Sequence, residues 1–369
     1  MNAPRNEALA TARNAADYVA AVVRPEVRAL TAYQVADSGD LIKLDANESP
    51  FPLPAAVRAG IAAAVADVPF HRYPDGGARD VAAALSRALT RHEGLGLILG
   101  NGSDELIQII ALALACPGAA MLVPEPTFVM YRVSALMAGM RFVGVPLAPD
   151  FGLDVDGMEA AIARERPALV FLASPNNPTG NLFEGAHIER ILRATPGLVV
   201  VDEAYGPYTH ESFLTRIREF PNLLVLRTVS KIGLAALRLG YAVGAPEWIA
   251  ELEKVRQPYN LNALTQAAAQ VVLREGAMLA QHAGTIKSER RRVDAALTGL
   301  PGVTVFPSEA NFLLVRVPDA AVWHAKLRVA GILVKTFHGA HPALANCLRI
   351  TIGTPAENDA LIDAMGAIR

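Results

Sequence analysis

The stretch LVLRTVSKIGLAALRLG, residues 224–240, decides the fold class of this chain of 369 residues. It opens with a mainly apolar run, which is typical of a strand covered on both faces, and the run leads to Ser230 and Lys231. Small residues and Arg238 follow, and a second apolar run begins at Leu239. Ligand sites in parallel sheets collect at the carboxyl ends of strands, so Lys231 lies where a ligand is expected to bind.

Similar apolar runs surround this stretch on both sides. The predicted strands are Leu97–Leu99, Ala120–Val123, Phe142–Val145, Ala168–Ala173, Leu198–Val201, Leu223–Thr228 and Leu239–Val243. Most of them lack alternation of apolar and polar residues, as expected where helices cover both faces of a sheet. Amphipathic stretches between them, such as Asp104–Ala115 and Thr127–Ala138, predict those helices. The sequence therefore predicts a three-layer α/β/α large domain with a mainly parallel sheet.

Three regions are predicted along the chain. Residues 1–45 form an N-terminal arm, in which Ala8–Val23 is a candidate helix ended by Arg24 and Pro25. Residues 46–262 form the large domain. Residues 263–369 form a smaller α+β domain that starts with one or two long helices, for which Gly276 and Gly284 are the predicted breaks. Its other predicted elements are the strands Val303–Phe306, Phe312–Val317, Ile332–Val334 and Leu348–Ile352 and the helix Ala320–Val329.

Composition excludes several classes of protein. Charged residues make up 19% of the chain and the net charge is −2, so there is no basic excess to attract nucleic acid. No signal-peptide pattern and no run of about 18 apolar residues occurs, which predicts a cytoplasmic protein without membrane contact. Cys116 and Cys347 are too few for a disulfide framework and are predicted to be buried, inert thiols. No metal site is predicted.

Two upstream motifs indicate that Lys231 is a functional residue. They are SPNNPTG, residues 174–180, and VDEAY, residues 201–205, and each ends an apolar run. Taken singly, the first is an ordinary turn, the second a strand followed by a helix cap, and Lys231 a surface lysine. In this order, the three motifs resemble those of the fold-type-I aminotransferases. That resemblance implies pyridoxal 5'-phosphate as the cofactor, carried on the lysine.

The resemblance assigns roles to four of these residues. Lys231 is the amine that holds the cofactor's aldehyde and later moves protons, which requires a lowered pKa. Asp202, rather than the neighbouring Glu203, keeps the pyridine nitrogen protonated. Asn177 and Tyr205 donate hydrogen bonds to the cofactor's phenolic oxygen.

The resemblance also implies how the rest of the cofactor is bound. A glycine-rich turn leads into a predicted helix, and such a turn lets backbone amides approach an anion. The implied phosphate ligands are Gly102, Ser103, Asp104, Ser230 and Arg238. Phe128 is the implied stacking ring and Tyr131 a packing residue. Tyr73 corresponds to a tyrosine that reaches the cofactor phosphate of a neighbouring subunit, which implies a homodimer.

Within this family the chain most resembles the histidinol-phosphate aminotransferases over nearly its full length. The stretches that support this are TAYQ at 31–34, LDANESP at 44–50, SEANF at 308–312 and NCLR at 346–349. The implied reaction exchanges an amino group between L-histidinol phosphate and 2-oxoglutarate in histidine biosynthesis. The implied residues for these small-molecule substrates are Tyr33, Asn47, Lys335 and Arg349.

Two departures from the family pattern concern the cations. Arg238 comes seven positions after Lys231, one fewer than usual, so the intervening loop must be tighter. Lys335 stands where many members have arginine, and lysine offers a point charge in place of a two-pronged donor.

Three other functions remain open from the sequence. An aromatic-amino-acid aminotransferase shares the scaffold and differs in a few pocket side chains. A threonine-phosphate-type decarboxylase would use the same cofactor to break a different bond. A regulator that senses the cofactor would need a DNA-binding module, for which residues 1–45 are too short and not basic.

Overall fold

The computed structural model describes residue 9 and residues 13–32, 36–88 and 94–368. Its larger sheet has seven strands in the order β2-β8-β7-β6-β5-β3-β4. The strands are β2 (Gly96–Asn101), β3 (Ala120–Glu125), β4 (Arg141–Pro146), β5 (Leu169–Ala173), β6 (Leu198–Asp202), β7 (Leu223–Thr228) and β8 (Leu239–Gly244). Strand β8 runs antiparallel to both of its neighbours, and the other pairs are parallel. The predicted α/β class with a mainly parallel sheet is confirmed.

Helices cover both faces of this sheet. On one face lie α5 (Ser103–Leu114), α6 (Met130–Ala138) and α9 (Pro246–Glu253). On the other lie α3 (Ala55–Ala66), α4 (Arg79–Ala88), α7 (Val155–Glu165), α8 (Gly185–Ala194) and α10 (Ala263–Val272). The arm contributes α1 (Ala15–Val22) and the short α2 (Pro25–Arg28). Pro25 is the first residue of α2, so it begins a second helix after ending the predicted one.

Strand β6 shows why the apolar runs lack alternation. Its residues Val199 and Val201 enter the core on one face, while Leu198 and Val200 enter the core on the opposite face. Full burial of such a side chain contributes roughly 1.5–3 kcal/mol, so both faces stabilise the strand. A strand of this kind holds the residue after its carboxyl end in a fixed place.

A second sheet of five strands lies beside the first. Its order is β1-β11-β12-β10-β9, with β1 (Ile42–Leu44), β9 (Thr304–Val305), β10 (Phe312–Arg316), β11 (Ile332–Thr336) and β12 (Cys347–Thr351). The helices α11 (Gly276–Thr298), α12 (Ala320–Val329) and α13 (Pro355–Gly366) pack on it. The chain also forms 3-10 turns at Gly206–Tyr208, Phe213–Glu219, Ser230–Ile232, Ala235–Leu237 and Pro342–Leu344.

The predicted region boundaries differ from this arrangement in two places. The predicted arm reached residue 45, but β1 pairs in parallel with β11 and belongs to the second sheet. The predicted small domain began at residue 263, but α10 places Ala269 and Val272 in the core of the larger sheet. The chain crosses between the two cores within α11, where Leu279 joins the first and Ile286 the second.

Two predictions about single residues are wrong. Gly276 begins α11, but Gly284 does not break it, because a flank of buried residues such as Ile286 and Val293 holds the helix. A mid-helix glycine costs about 1 kcal/mol, which that packing offsets. Cys116 is exposed, since it lies in the turn after α5 and not within the apolar helix that precedes it. Cys347 is buried as predicted.

Two kinds of feature are absent from the described residues. No helix in the described ranges is long and apolar enough to cross a membrane. In that same part of the chain, no group of three or more histidine, cysteine, aspartate or glutamate side chains could hold a metal ion.

Candidate active site

The topology brings the predicted residues to one edge of the larger sheet. Strands β2, β5, β6 and β7 run in one direction and end at this edge, and the antiparallel β8 begins there. Arg238, which directly precedes β8, therefore arrives beside the residues that follow the other strands. A cavity of about 290 Å³ opens at this edge, facing the second sheet. Predicted site residues that line it are Asn47, Ser103, Asp104, Phe128, Asn177, Asp202, Tyr205, Ser230, Lys231, Arg238, Lys335 and Arg349.

Lys231 enters the cavity from a 3-10 turn after β7. The turn spans Ser230–Ile232 and ends at Gly233, whose φ of 101° is in the left-handed region that favours glycine. The buried hydroxyl of Tyr208 donates to the backbone carbonyl of Lys231 and anchors the turn. Burial and the nearby charge of Arg349 lower the pKa of Lys231 to about 8. Near neutral pH, this amine can therefore act as a base or nucleophile far more readily than an exposed lysine.

Asp202 is the last residue of β6 and is buried. Its Oδ1 accepts a hydrogen bond from the Ala204 amide at 3.0 Å. Burial raises the pKa of Asp202 to about 6, against the lowering effect of its hydrogen bonds. A buried carboxylate facing a cavity is suited to a cationic N–H group, because a charged partner repays part of its desolvation.

The carboxylate of Glu203 is bound by protein groups outside the cavity, which agrees with the prediction that Asp202, rather than Glu203, meets the ring nitrogen. Only 2% of Glu203 is exposed, and its Oε2 accepts from Arg227 Nη2 at 2.6 Å and from Ser212 Oγ at 2.9 Å. Its Oε1 accepts from the Phe213 amide at 2.6 Å. These contacts fix the segment after Asp202 rather than reaching the cavity.

The start of helix α5, Gly102 and the side chain of Arg238 form a recess lined with N–H donors, which is called the anion cradle below. Helix α5 begins at Ser103 without a side-chain cap, so its first amides remain available to an anion. Gly102 has a φ of 83°, and a Cβ atom there would lie 2.7 Å from the guanidinium of Arg238. A Cβ atom on Gly240 would lie 2.4 Å from the Ser103 amide nitrogen. Glycine is therefore required at both positions for the helix start and the arginine to come together.

The short loop between Lys231 and Arg238 is built from two 3-10 turns, Ser230–Ile232 and Ala235–Leu237. Arg238 itself takes a left-handed φ of 48°. Its Nη2 lies 3.3 Å from Asp104 Oδ2, beside the start of α5. With this short loop, the guanidinium of Arg238 still lies beside the start of α5.

Arg349 joins the second sheet to the motif of residues 174–180. Its Nη1 donates to Asn177 Oδ1 at 2.6 Å, and its Nη2 donates to the Asp45 carbonyl at 2.7 Å. A guanidinium only donates, so the amide oxygen of Asn177 must face it. The NH₂ group of Asn177 is thereby turned the other way, as a donor toward a ligand.

Asn47 is held by its neighbours more firmly than its predicted substrate role implies. It is buried and takes a left-handed φ of 56°. Its Nδ2 donates to the Tyr205 hydroxyl at 2.8 Å, its Oδ1 accepts from Thr351 at 3.2 Å, and its carbonyl accepts from Asn311 at 3.0 Å. Burial raises the pKa of Tyr205, so the phenol keeps its proton. Because Asn47 already donates to this oxygen, the Tyr205 proton must be directed elsewhere.

The aromatic residues after β3 divide into two roles. Phe128 lines the cavity, and its ring meets that of Tyr131 edge to face, with centroids 5.7 Å apart. Tyr131 does more than pack, because its hydroxyl reaches Asp202 at 2.8 Å. Sequence reasoning missed this contact, and it missed Tyr208 as well.

Two predicted residues lie elsewhere in the structure. Tyr73 is 80% exposed and stacks on Tyr259, with ring centroids 4.6 Å apart, away from the cavity of its own chain. Tyr33 lies outside the described residues.

The second sheet contributes further cations to the lining of the cavity. Lys335 and Arg349 are register partners on β11 and β12, so their side chains share one face. Lys43 of β1 pairs with Leu333, two residues before Lys335, and therefore lies on that face too. It also lines the cavity, with its Nζ 2.6 Å from Glu48 Oε2 and 3.2 Å from Asp45 Oδ1. Lys43 was not among the predicted residues, because a strand as short as β1 gives little signal in the sequence.

The residues present fit the predicted cofactor. The uncapped helix start and the glycine-lined cradle suit a phosphate, and the buried Asp202 suits a protonated ring nitrogen. Lys231 supplies an amine of lowered pKa within the same cavity.

Placed at this edge of a sheet with this topology, such a cavity defines an enzyme of the fold-type-I class. The family model described as "Aminotransferase class I and II" matches residues 39–365, and the chain belongs to that family. It is 51% identical over 356 residues to histidinol-phosphate aminotransferase 1 of Ralstonia nicotianae, with 95% of each chain covered. It is 50% identical to the histidinol-phosphate aminotransferase of Chromobacterium violaceum, covering 93% of this chain and 97% of the relative.

A solved structure of a histidinol-phosphate aminotransferase is also similar to this chain. Histidinol-phosphate aminotransferase from Sinorhizobium meliloti, in complex with pyridoxal-5'-phosphate, superposes with a TM-score of 0.82 at 27% identity. The match covers 93% of this chain and 96% of that one.

Proposed function

We propose that this chain is a pyridoxal-phosphate-dependent aminotransferase that exchanges an amino group between L-histidinol phosphate and 2-oxoglutarate in histidine biosynthesis. The names of relatives at about half identity over nearly the full length support this reaction. One structural observation carries the proposal: Lys335 and Arg349 line the cavity as register partners of the second sheet, in addition to the cation Arg238 at the anion cradle. A substrate that presents a phosphate monoester or a carboxylate there meets two cations.

Some of the chain's residues would bind the cofactor, and Lys231 would transfer protons. When bound, pyridoxal phosphate supplies an aldehyde for the amino group and a protonated ring that draws electron density from the substrate's Cα. The α5 amides, Ser230 and Arg238 would hold its phosphate, and Asp202 would hold its ring nitrogen. Lys231 would move a proton from the substrate's Cα to the carbon of the cofactor's former aldehyde group in one half-reaction, and in the opposite direction in the other, which its lowered pKa permits near neutral pH.

Single half-reactions test the choice of substrate. The enzyme would be mixed separately with histidinol phosphate, glutamate and phenylalanine, without an oxo acid, and the visible absorbance of the bound cofactor followed. We expect kcat/KM for histidinol phosphate to exceed that for phenylalanine by at least about 100-fold, because its phosphate would pair with both Lys335 and Arg349, whereas the single carboxylate of phenylalanine needs only Arg349. A preference for phenylalanine would identify an aromatic aminotransferase. Release of carbon dioxide from threonine phosphate would identify a decarboxylase.

Lys335→Met should lower kcat/KM for histidinol phosphate much more than for glutamate. The phosphate needs a second cation beyond Arg349, whereas a single carboxylate does not, so we expect kcat/KM for histidinol phosphate to fall about 10- to 100-fold. The glutamate half-reaction should change no more than about threefold. Lys335→Arg is the matched control, since it keeps the cation and adds a two-pronged donor, and it should retain activity with both substrates. Equal losses with both substrates in the methionine variant would remove Lys335 from phosphate recognition.

We further propose that the protein acts as a cytoplasmic homodimer in which Tyr73 reaches the cofactor phosphate of the partner. Tyr73 is strongly exposed and does not line the cavity of its own chain, and both facts support this arrangement. Mixing Tyr73→Ala chains with Lys231→Ala chains tests it, because hybrid dimers would contain one site with both native residues. Absence of any regained activity, at concentrations where hybrids form, would contradict a shared site.

A further inference from the structure

Tyr131 is a buried aromatic residue whose hydroxyl contacts the carboxylate of Asp202, which lines the cavity. It lies in the first turn of α6 with no exposed surface, and its hydroxyl donates to Asp202 Oδ2 at 2.8 Å. Its ring stacks on Phe171 of β5, with centroids 4.6 Å apart and an interplanar angle of 14°. The edge of Phe128 packs against it from the side of the cavity. Packing on both sides therefore fixes where the hydroxyl points.

The hydrogen bonds of Asp202 show what this contact does. Tyr131 donates to Oδ2 and the Ala204 amide donates to Oδ1, so each carboxylate oxygen has one protein donor. Each oxygen of an ionised carboxylate can accept a further hydrogen bond. Asp202 also lines the cavity, so that remaining capacity is available to an N–H group of a ligand. Two donors on different elements thus set the plane in which the carboxylate faces the cavity.

We propose that Tyr131 is a positioning residue that keeps Asp202 ionised and aimed at the ring nitrogen of the cofactor. This inference rests on the proposed function, because it requires pyridoxal phosphate in the cavity. It gives a functional role to a side chain whose sequence context indicates packing alone.

The charges around Asp202 explain why such a donor is needed. Burial is the main cause that raises the pKa of Asp202 to about 6, and the carboxylates of Asp104 on α5 and Glu203 on its own segment contribute to that rise. The hydrogen bonds from Tyr131 and Ala204 oppose that rise. Other titratable or charged groups that line the same cavity are Lys43, Asp45, Tyr205, Lys231, Arg238, Lys335 and Arg349.

Tyr131 itself remains a donor throughout the working pH range. Burial and the charge of Asp202 raise the pKa of its phenol well above the usual value, so it keeps its proton. If the hydroxyl is removed, Asp202 becomes easier to protonate, and a protonated carboxyl cannot stabilise a cationic ring nitrogen.

The test compares two cofactors on the cofactor-free protein. Tyr131→Phe removes the hydroxyl and keeps the ring stack. The probes are pyridoxal phosphate and its carbocyclic analogue, in which C–H replaces the ring nitrogen. We expect the variant to bind pyridoxal phosphate about 10-fold more weakly at pH 7, because a hydrogen bond to a charged group is lost. Binding of the analogue should stay within about twofold of wild type.

A second readout is the pH profile of the loaded enzyme. Because the variant's Asp202 holds its proton to higher pH, the acid limb of kcat should move upward by about one pH unit. Activity should recover toward the wild-type value as pH rises. A structural role alone would lower the whole profile and leave its limbs in place, which would overturn the inference.

Tyr208→Phe is the matched control. It removes another buried phenol hydroxyl from the site, but one that holds the Lys231 backbone and not Asp202. Its effect on pyridoxal phosphate and on the analogue should therefore be equal. Equal losses for both cofactors in Tyr131→Phe, or no loss for either, would overturn the positioning role. If wild type itself fails to bind pyridoxal phosphate, the proposed function fails instead, so the two failures are distinguishable.

Discussion

Lys231→Met is expected to abolish turnover, lowering kcat by at least about 10⁴-fold. Under the proposed function, the variant would lose both the amine that holds the cofactor and the base that moves the substrate's proton. Asp202, Ser230 and Arg238 remain in place, so pyridoxal phosphate should still bind. The measurement is glutamate formed from 2-oxoglutarate with histidinol phosphate as the donor, together with cofactor content after gel filtration.

The same substitution should make the cofactor-free protein more stable near neutral pH. Burial, followed by the charge of Arg349, lowers the pKa of Lys231 to about 8, from an ordinary value of 10.5. Below pH 8 the folded protein carries a buried ammonium that the unfolded chain hydrates freely, which costs about 3 kcal/mol at pH 7. The cost falls as pH rises from 8 and is absent above about 10.5, where both states are deprotonated.

Thermal or denaturant unfolding of both cofactor-free proteins checks this. Lys231→Met should exceed wild type in unfolding free energy at pH 7, and the gap should close as pH rises through 8 to 10. Methionine is unbranched and similar in length, so packing changes little. Lys254→Met, at an exposed lysine on the surface, is the control and should show no such pH-dependent gain. Activity within tenfold of wild type, or stability that falls at pH 7, would contradict the role of Lys231.

The parts of the site that lie at strand ends could be predicted from the sequence. Asp202 and Lys231 each follow an apolar run whose residues fill both cores, and parallel strands end at a common edge. Their spatial relation thus follows from the sheet itself. Arg238 could be placed in the same way, since it precedes the strand that returns from that edge.

Contacts between distant segments could not be predicted. Asn47 is 158 positions from Tyr205 and 304 from Thr351, and its left-handed backbone depends on both partners. Tyr131 has the spacing of a core residue, and only the packing of α6 against β5 and β6 brings its hydroxyl to Asp202. No local pattern distinguishes such a tyrosine from one that merely packs.

Local hydropathy also gave wrong predictions at positions where the exposure of a residue depends on its place in the fold. Cys116 follows an apolar helix in the sequence, yet it lies in a turn at the surface. The short pattern of β1 was assigned to the arm, because a strand of three residues has little periodicity of its own. Its pairing with β11 is what brings Lys43 to the substrate side of the cavity.

Arg349→Ala should weaken both half-reactions by about 10³-fold in kcat/KM. The guanidinium is 8% exposed and connects three functions. It lines the cavity, where the proposed function makes it the first cation for a carboxylate or phosphate, it orients the Asn177 amide, and it holds the Asp45 carbonyl. Alanine leaves the last two groups without their donor in a buried setting, which adds to the loss of substrate charge pairing.

Intermediate variants separate these contributions. Arg349→Lys keeps a cation, but one ammonium cannot reproduce the two-pronged contact with Asn177 and Asp45, so we expect a loss between that of alanine and wild type. Arg316→Ala is the matched control, because Arg316 lies in the same sheet and donates to the carbonyls of Ala343 and Ala345 at the surface. It should leave both half-reactions within about threefold. The proposed function has glutamate and histidinol phosphate share Arg349, with Lys335 required by the phosphate alone, so we expect the alanine variant to weaken both substrates. A loss confined to one of them would mean that the two anions bind in different places.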